Sequence, residues 1–300
     1  MKKHIINILL ITLAIAGTMS AQDPTRADRI VAELHKPVSN TVLVAAHRGD
    51  WRNHPENSLA AIKSAVDMGA DIVEVDIALT KDSVLVVSHD RTLDRTTNGS
   101  GKISDHTYGE ISALFLKDKD GNITDRHMPT LYDALAVCKD KAVVNIDKGY
   151  DFYDQALAVC EALGVTRHTL IKGVRLPDAV ERKFASHSVN MLYMPVIYAS
   201  APSLYEAYVS GGVVPMAYEL CWSERTPAVE EMMRSMVASG AKLWVNTLWP
   251  SLNGGLCDDA AYNGNADEVY GKIIDDGATI IQTDRPGYLL NYLRSTGRHE

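Results

Sequence analysis

From Val42 onward, short apolar runs alternate with stretches in which apolar residues recur every three or four positions. Runs such as "AVVNI", "TLIKG" and "TIIQT" have strand length and polar borders, the pattern of strands covered on both faces. The pattern predicts strands over 42–47, 71–78, 84–88, 142–147, 168–173, 190–197, 213–220, 241–247 and 278–284. Helices fit between them over 57–69, 129–138, 151–163, 176–187, 202–210, 226–239, 266–276 and 286–295. Repeated strand–helix units over about 250 residues predict a (β/α)8 TIM barrel, with a doubly wound parallel sheet as the competing arrangement.

Nine strands are one too many for such a barrel. The second and third are joined only by "LTKDS", too short for a parallel crossover, which needs a dozen or more residues. They are therefore expected to form a β-hairpin extension after strand 2, leaving eight barrel strands. A two-residue turn at Lys81-Asp82 would set Thr80 against Ser83 and Glu74 against His89. Glu74 and Asp76 are two apart on a strand, so their side chains share a face. His89 would then stand beside them at the C-terminal barrel mouth, where active sites of this fold lie.

Composition narrows the function class. The 300 residues are 46% hydrophobic and 23% charged, enough for a sizeable core, and the net charge of -8 comes with no basic run. That balance argues against nucleic acid as a partner. The start, "MKKHIINILLITLAIAGTMSAQ", has two lysines, an apolar stretch from Ile5 to Ala16 and small residues up to Ala21. It reads as a signal peptide over 1–21, followed by an N-terminal segment at 22–41 and the barrel domain at 42–296. A signal anchor is the alternative, for which the apolar stretch is short. The expectation is an exported protein, periplasmic or secreted, with no stable membrane insertion after cleavage. Cys138, Cys160, Cys221 and Cys257 lack zinc-site spacing. Cys138 and Cys160 fall late in consecutive predicted helices, so a disulfide between them and buried free thiols are both open.

The strand ends collect polar residues. The first gives His47 and Arg48, the second Glu74 and Asp76, the next barrel strand Asn145, Asp147 and Lys148, and the fourth Lys172. Later strands add Glu219, Asn246 and Asp284, and the returning arm adds His89. Three carboxylates beside lysines and an arginine suggest a hard divalent cation with an anionic substrate. Two histidines suggest an acid and a base. Singly, each has a structural reading: an ion pair for Glu74 and Asp76, a helix cap for Asn57, a tight turn for Gly49. Arg91 and Arg95 read as surface or loop ion pairs, and His54, His106, His127 and His168 as solvated.

Together, "AHRGDWRNHPENS", "GADIVEVDIALTKDSVLVVSHDRTLDRTTNGSGKI", "MPTLYDAL" and "GATIIQTDRPGYLL" resemble the glycerophosphodiester phosphodiesterase family, over nearly the whole chain from Val42. The resemblance implies a (β/α)8 barrel that cleaves glycerol-3-phosphoryl alcohols with Ca2+ or Mg2+. It implies His47 and His89 as general base and acid, Arg48 on phosphate oxygens, Glu74 and Asp76 on the metal, and Glu56 and Asn57 in the substrate-side wall, with Glu56 also able to orient His47 or touch the metal shell. One stretch departs from the pattern. Where the family shows Glu-x-Lys, this chain has "VVNIDKGY". Asp147 can replace the carboxylate, but its same-face neighbour is then Gly149, so Lys148 must swing in at the strand end or Lys172 must substitute. In the other register Lys148 matches the lysine and Ile146 takes the carboxylate position.

The segments "CWSER" and "LWPSLNGGLCDDAAYNGNADE" read as loops that set specificity. Trp222, Asn246 and Trp249 are candidates for the substrate pocket, with rim packing the other reading for the tryptophans. The acidic late loop disfavours an anionic bilayer, so a water-soluble deacylated diester is expected as substrate. Two alternatives remain open: a phospholipase C- or D-like enzyme that ends at a cyclic phosphate, and a barrel that binds phosphorylated ligands without turnover. The last would fit a chain lacking one histidine or the Glu-x-Asp pair, and both are present here.

Overall fold

A computed structural model describes residues 23–300, so the leader expected at 1–21 lies outside the described residues. The strands, in chain order, are β1 (Leu43–Ala46), β2 (Ile72–Leu79), β3 (Leu85–Val87), β4 (Phe115–Lys117), β5 (Ile123–His127), β6 (Val143–Asp147), β7 (Thr169–Gly173), β8 (Leu192–Tyr198), β9 (Ala217–Cys221), β10 (Lys242–Asn246) and β11 (Ala278–Thr283). The parallel order β1-β11-β10-β9-β8-β7-β6-β2 closes on itself, because β1 pairs with both β11 and β2. The fold is thus a (β/α)8 barrel. β3 is the surplus strand, and it runs antiparallel to the end of β2.

The hairpin register differs by one residue from the expected one. Ile77 faces Val87, Ala78 faces Val86 and Leu79 faces Leu85. A two-residue hairpin turn usually needs a positive φ at its first central position, which lysine resists. The chain instead uses three residues, Lys81–Ser83, and places only Ser83 in the left-handed region (φ 64°). The Thr80 hydroxyl accepts from the Val84 amide and donates to Asp82, closing the turn. The last rung joins the Ser88 amide to the Asp76 carbonyl at 3.0 Å, and His89 follows just beyond it. Glu74 therefore has no partner on the arm.

Two elements escaped the periodicity. The helix Arg26–Leu34 lies in the N-terminal segment and buries Ile30 and Leu34 against Leu43, Ile72, Val143, Leu170, Trp244 and Ile280. It closes the barrel floor. The second is the excursion between Ser88 and Met128, which carries a one-turn helix (Tyr108–Ser112) and the β4–β5 hairpin. Its apolar residues Leu93, Ile103, Ile111, Leu116 and Met128 gather around Val86, too widely spaced for a periodic signal.

The late segment is ordered rather than loose. It contains a helix at Asp258–Asn263, and the predicted helix 266–276 opens with a π turn over Asp267–Gly271. Asp258 anchors it. Its buried carboxylate accepts from the hydroxyls of Thr247, Tyr270 and Thr283 and from the Asp284 amide. All four cysteines are buried free thiols, so the second of the two readings for Cys138 and Cys160 holds.

Gly49, directly after β1, sits at φ 73°, and a Cβ there would lie 2.6 Å from the Ala61 carbonyl carbon in the helix Leu59–Met68. Gly49→Ala should therefore destabilise the protein by about 2–5 kcal/mol through backbone strain and overpacking. Urea unfolding measures this. A change below 0.5 kcal/mol, roughly that of a neutral surface substitution, would mean that the helix does not press on the turn.

Candidate active site

At the mouth, the apolar run of β1 ends with the His47 amide donating to the Thr283 carbonyl, which extends the β1–β11 ladder by one rung. The His47 ring is buried, and its Nδ1 lies 2.7 Å from Asp284 Oδ1. A carboxylate only accepts, so Nδ1 carries the proton and Nε2 is free to take another. The Trp51 indole N–H donates to the same Asp284 oxygen at 2.7 Å. Burial works against a charged His47 ring, but the Asp284 hydrogen bond and the Glu74 and Asp284 charges win and raise its pKa.

Arg48 and Gly49 turn the chain through left-handed conformations (φ 53° and 73°). The Arg48 amide thereby donates to Glu74 Oε2 at 2.9 Å, while its guanidinium meets Glu56 at 3.0 Å and Asp76 at 3.4 Å. Asn57 is also left-handed (φ 60°), and Ser58 rather than Asn57 caps the following helix. The Asn57 amide grips Asp76 twice, donating to its carboxylate at 3.1 Å and accepting from its backbone N–H at 3.2 Å. Asn57 is therefore a buried clamp and not a pocket wall. Its side chain is consumed by Asp76.

On β2 and β6, Asp76 stands directly beside Asp147 in the ladder. One carboxylate oxygen each from Glu74, Asp76 and Asp147 lie within 4.8 Å of one another, an arrangement that can hold a metal ion. Ile146 points the other way, into the layer under the helices. Like charges this close favour either a proton or a cation between them. The Glu74 carboxyl shows the strain, for burial and the Asp76 charge push its pKa up to about 7. Burial opposes ionisation of Asp76 too, yet Arg48, His89 and Lys148 hold its pKa below the usual value.

Both lysines reach the mouth. A Cβ on Gly149 would lie 2.6 Å from the Ile171 side chain and 3.0 Å from the Ile146 carbonyl, so a larger residue there would have to displace Ile171. Lys148 compensates by adopting φ 63°, and its Nζ reaches the His89 carbonyl (2.7 Å) and Asp76 Oδ1 (3.6 Å). Lys172 is buried inside the barrel with Nζ 3.2 Å from Glu219. Burial opposes its charge, but Glu219, Asp147 and Glu74 outweigh it and raise its pKa. Glu219 is held in turn by the Asn246 amide at 2.8 Å, so Asn246 serves this ion pair and does not line the mouth cavity.

His89 begins the excursion, with a side chain 42% exposed. Its Nδ1 donates to Asp90 at 2.7 Å, which again leaves Nε2 free. Arg95 binds Asp90 and also both oxygens of Glu56 (2.6 and 2.8 Å). The ion pairs expected of Arg95 exist, but they belong to the site.

A cavity of about 460 Å³ opens beside His47, with Arg48, Glu56, Trp249 and Asp284 among its walls. The Trp249 ring meets the His47 ring edge-on at 6.1 Å. Trp222 lines a different cavity and packs in the core, which is the packing reading for that residue. The β4–β5 turn, from Lys117 to Gly121, forms the outer wall. Sequence reasoning placed Asp284 at the mouth but missed its pairing with His47, and it missed Asp90 and this turn altogether. "TDRP" and "SHD" carried the signal for the two aspartates; the turn had none.

Comparison with known proteins agrees with this geometry. The glycerophosphoryl diester phosphodiesterase family model matches residues 47–233, and a domain of unknown function overlaps it at 193–293. A glycerophosphodiester phosphodiesterase of Caldanaerobacter subterraneus is 50% identical over 267 residues, covering 85% of this chain and 99% of that protein. Human glycerophosphodiester phosphodiesterase 1 is 39% identical over 125 residues, 41% of this chain and 37% of its own length. A crystal structure of a glycerophosphoryl diester phosphodiesterase from Parabacteroides distasonis superposes with a TM-score of 0.74 at 26% identity, covering 90% of this chain and 92% of that one. With a family match over more than half its length and a half-identical full-length relative, the chain belongs to the glycerophosphoryl diester phosphodiesterase family.

Proposed function

We propose that the protein hydrolyses water-soluble glycerophosphodiesters to sn-glycerol 3-phosphate and an alcohol, using His47 and His89 as base and acid and a divalent cation, Ca2+ or Mg2+. The observation that carries this reading is the pairing of two histidines, each held at Nδ1 by an aspartate, around three carboxylates that share one small volume. Glu74, Asp76 and Asp147 would hold the cation, and their all-oxygen donor set suits a hard ion. When bound, the cation supplies positive charge against the phosphate oxygens.

The chain's own residues do the rest. Arg48, Lys148 and Lys172 add fixed positive charge for the phosphoryl oxygens, with Arg48 held ready by Glu56. His47 Nε2 takes the proton of the glycerol hydroxyl next to the ester, and that oxygen attacks phosphorus. His89 Nε2 donates a proton to the departing alcohol. Water then opens the cyclic phosphate with the two roles exchanged. The leader expected at residues 1–21 would place this activity outside the cytoplasm. Among the described residues no helix is long and apolar enough to cross a membrane.

Phosphorus NMR of glycerophosphoinositol turnover tests the reaction. The expected result is sn-glycerol 3-phosphate, with activity lost on chelation and restored by adding Ca2+ or Mg2+. Full activity after exhaustive metal removal, or a terminal cyclic phosphate, would overturn the reading.

The His47 environment gives a pH prediction. His47 acts as a base only when neutral, and Asp284 raises its pKa, so activity should climb as pH rises through that elevated value. Asp284→Asn removes the raising partner. The acidic limb of kcat/KM should move to lower pH, while kcat falls about 10–100-fold because the ring loses its tautomer and aim. A limb that stays in place would show that some other group titrates there.

The histidines can also be separated. General acid catalysis typically contributes about 10²–10⁴-fold, and a p-nitrophenolate leaving group largely dispenses with it. His89→Ala should therefore lose far less on a p-nitrophenyl ester of glycerol phosphate than on a choline ester, whereas His47→Ala should lose equally on both. Rescue of His47→Ala alone would exchange the assignments.

A further inference from the structure

The cavity beside His47 has more positive charge than one phosphodiester uses. Its walls carry five cationic side chains against three carboxylates, in a protein whose net charge is -8. The distribution is uneven. Arg48 and Arg95 are engaged by Glu56, which stands between them, and Asp284 is engaged by His47 and Trp51. The remaining cations, Arg52, Lys117 and Lys119, sit at the outer end.

Of that outer group only Arg52 has a buried partner, Asp284 at 3.9 Å, and Lys117 and Lys119 have none. Lys117 Nζ donates to the Asp94 carbonyl at 2.9 Å rather than to a carboxylate. Lys119 meets only the exposed Asp120, and Arg52, besides its long contact to Asp284, meets the exposed Asp259, which it shares with Arg285. Asp118, the one acid of this turn that lines the cavity, spends its oxygens on the amides of Asp120 and Asn122 and on the Asn122 side chain. Those bonds shape the turn that carries Lys119. The aromatic wall excludes the opposite charge. The Arg52 guanidinium already covers Trp51 at 5.0 Å, so no aromatic cage is left open for a quaternary ammonium. Trp249, 44% exposed, offers a flat face to a polyol.

The side of the site matters as well. His47, Arg48 and Glu56 line this cavity, whereas His89 does not. In the reaction proposed above, His47 faces the glycerol whose hydroxyl attacks, and His89 faces the leaving alcohol. The charged extension therefore lies on the glycerol side.

We infer that the outer cavity is a second anion subsite, and that the favoured substrates carry a glycerol unit phosphorylated at both ends, as in bis(glycerophospho)glycerol. This rests on the proposed reaction for its orientation, though not for the existence of the subsite. The scissile phosphate sits over the carboxylate cluster, the central glycerol lies along Trp249, and the second phosphate reaches Lys117, Lys119 and Arg52. This cut releases a terminal glycerol and leaves the central glycerol with a phosphomonoester at one end and its second diester intact.

Two measurements test this. The first compares kcat/KM for bis(glycerophospho)glycerol, glycerophosphoglycerol and glycerophosphoinositol 4-phosphate, whose extra anion is on the leaving alcohol. The doubly phosphorylated glycerol should be preferred by at least 10-fold over the other two, mainly through KM. In Lys117→Ala/Lys119→Ala, and separately in Lys119→Glu at its exposed position, that preference should collapse toward unity. The second is calorimetric binding of glycerol 1,3-bisphosphate against sn-glycerol 3-phosphate, which needs no turnover. Tighter binding of the bisphosphate, lost in the same variants, supports the subsite even if no diester is cleaved, and in that case the hydrolase reading alone fails. Hydrolysis of all three diesters without the preference, or a preference for the inositol phosphate, overturns the inference and leaves the hydrolase reading standing. So does a preference that survives both variants.

Discussion

The site is organised around one electrostatic constraint, the closeness of Glu74, Asp76 and Asp147 in a mouth that is largely shielded from water. Carboxylates in that setting repel one another with little screening, so their surroundings must supply positive charge or protons. The neighbours do so unequally. The Asp76 carboxylate receives the Arg48 guanidinium, Lys148 and a hydrogen bond from the Asn57 side chain, and its pKa stays below the usual value. Glu74, buried completely, receives one amide hydrogen bond from Arg48, and it is the carboxyl whose pKa climbs. That imbalance marks where an added cation gains most.

The same constraint accounts for the backbone strain at the mouth. Arg48, Asn57 and Lys148 are all non-glycine residues at positive φ, a conformation that costs free energy for each. In every case the conformation sends a donor toward Glu74 or Asp76: the Arg48 amide, the Asn57 side chain and the Lys148 ammonium. Lys172 reaches the cluster from the barrel interior without such strain, because Glu219 balances its charge and Asn246 fixes Glu219. Strained turns at the mouth and an unstrained buried ion pair thus serve one end.

Much of this was legible in the sequence, and what was legible depended on periodicity. The eight barrel strands, the surplus arm and the shared face of Glu74 and Asp76 all follow from period-two patterning and loop length. Parity alone left Asp147 and Ile146 both open, and the ladder decides for Asp147, which stands beside Asp76 while Ile146 packs under the helices. The failures have a common cause. Ser83 accepted a positive φ that no composition signal announces, and the arm slipped by one residue. Asn57, Asn246 and Trp222 were recognisable as polar or aromatic rim residues, but whether such a side chain faces substrate or serves a neighbour is settled by tertiary contacts. The β4–β5 hairpin is short and largely exposed, so it has no apolar repeat to betray it.

The slipped register has a consequence for how the two histidines are held. His47 is fixed from within, since Asp284 positions its ring, and Asp258, buried behind, positions the Asp284 amide. His89 lacks a rung on β2, because the ladder ends at Ser88. Its position depends on charge instead. Asp90 holds the ring, Arg95 holds Asp90, Glu56 holds Arg95 and Arg48 holds Glu56. This alternating chain returns to the residue directly after His47. The arm is thereby tied to the first strand through Glu56, a residue the resemblance offered as part of a wall, as an orienter of His47 or as a contact of the metal shell. Burial lowers the screening along the inner links, and exposure of Arg95 raises it along the outer ones, so the acid's side of the site is the softer of the two.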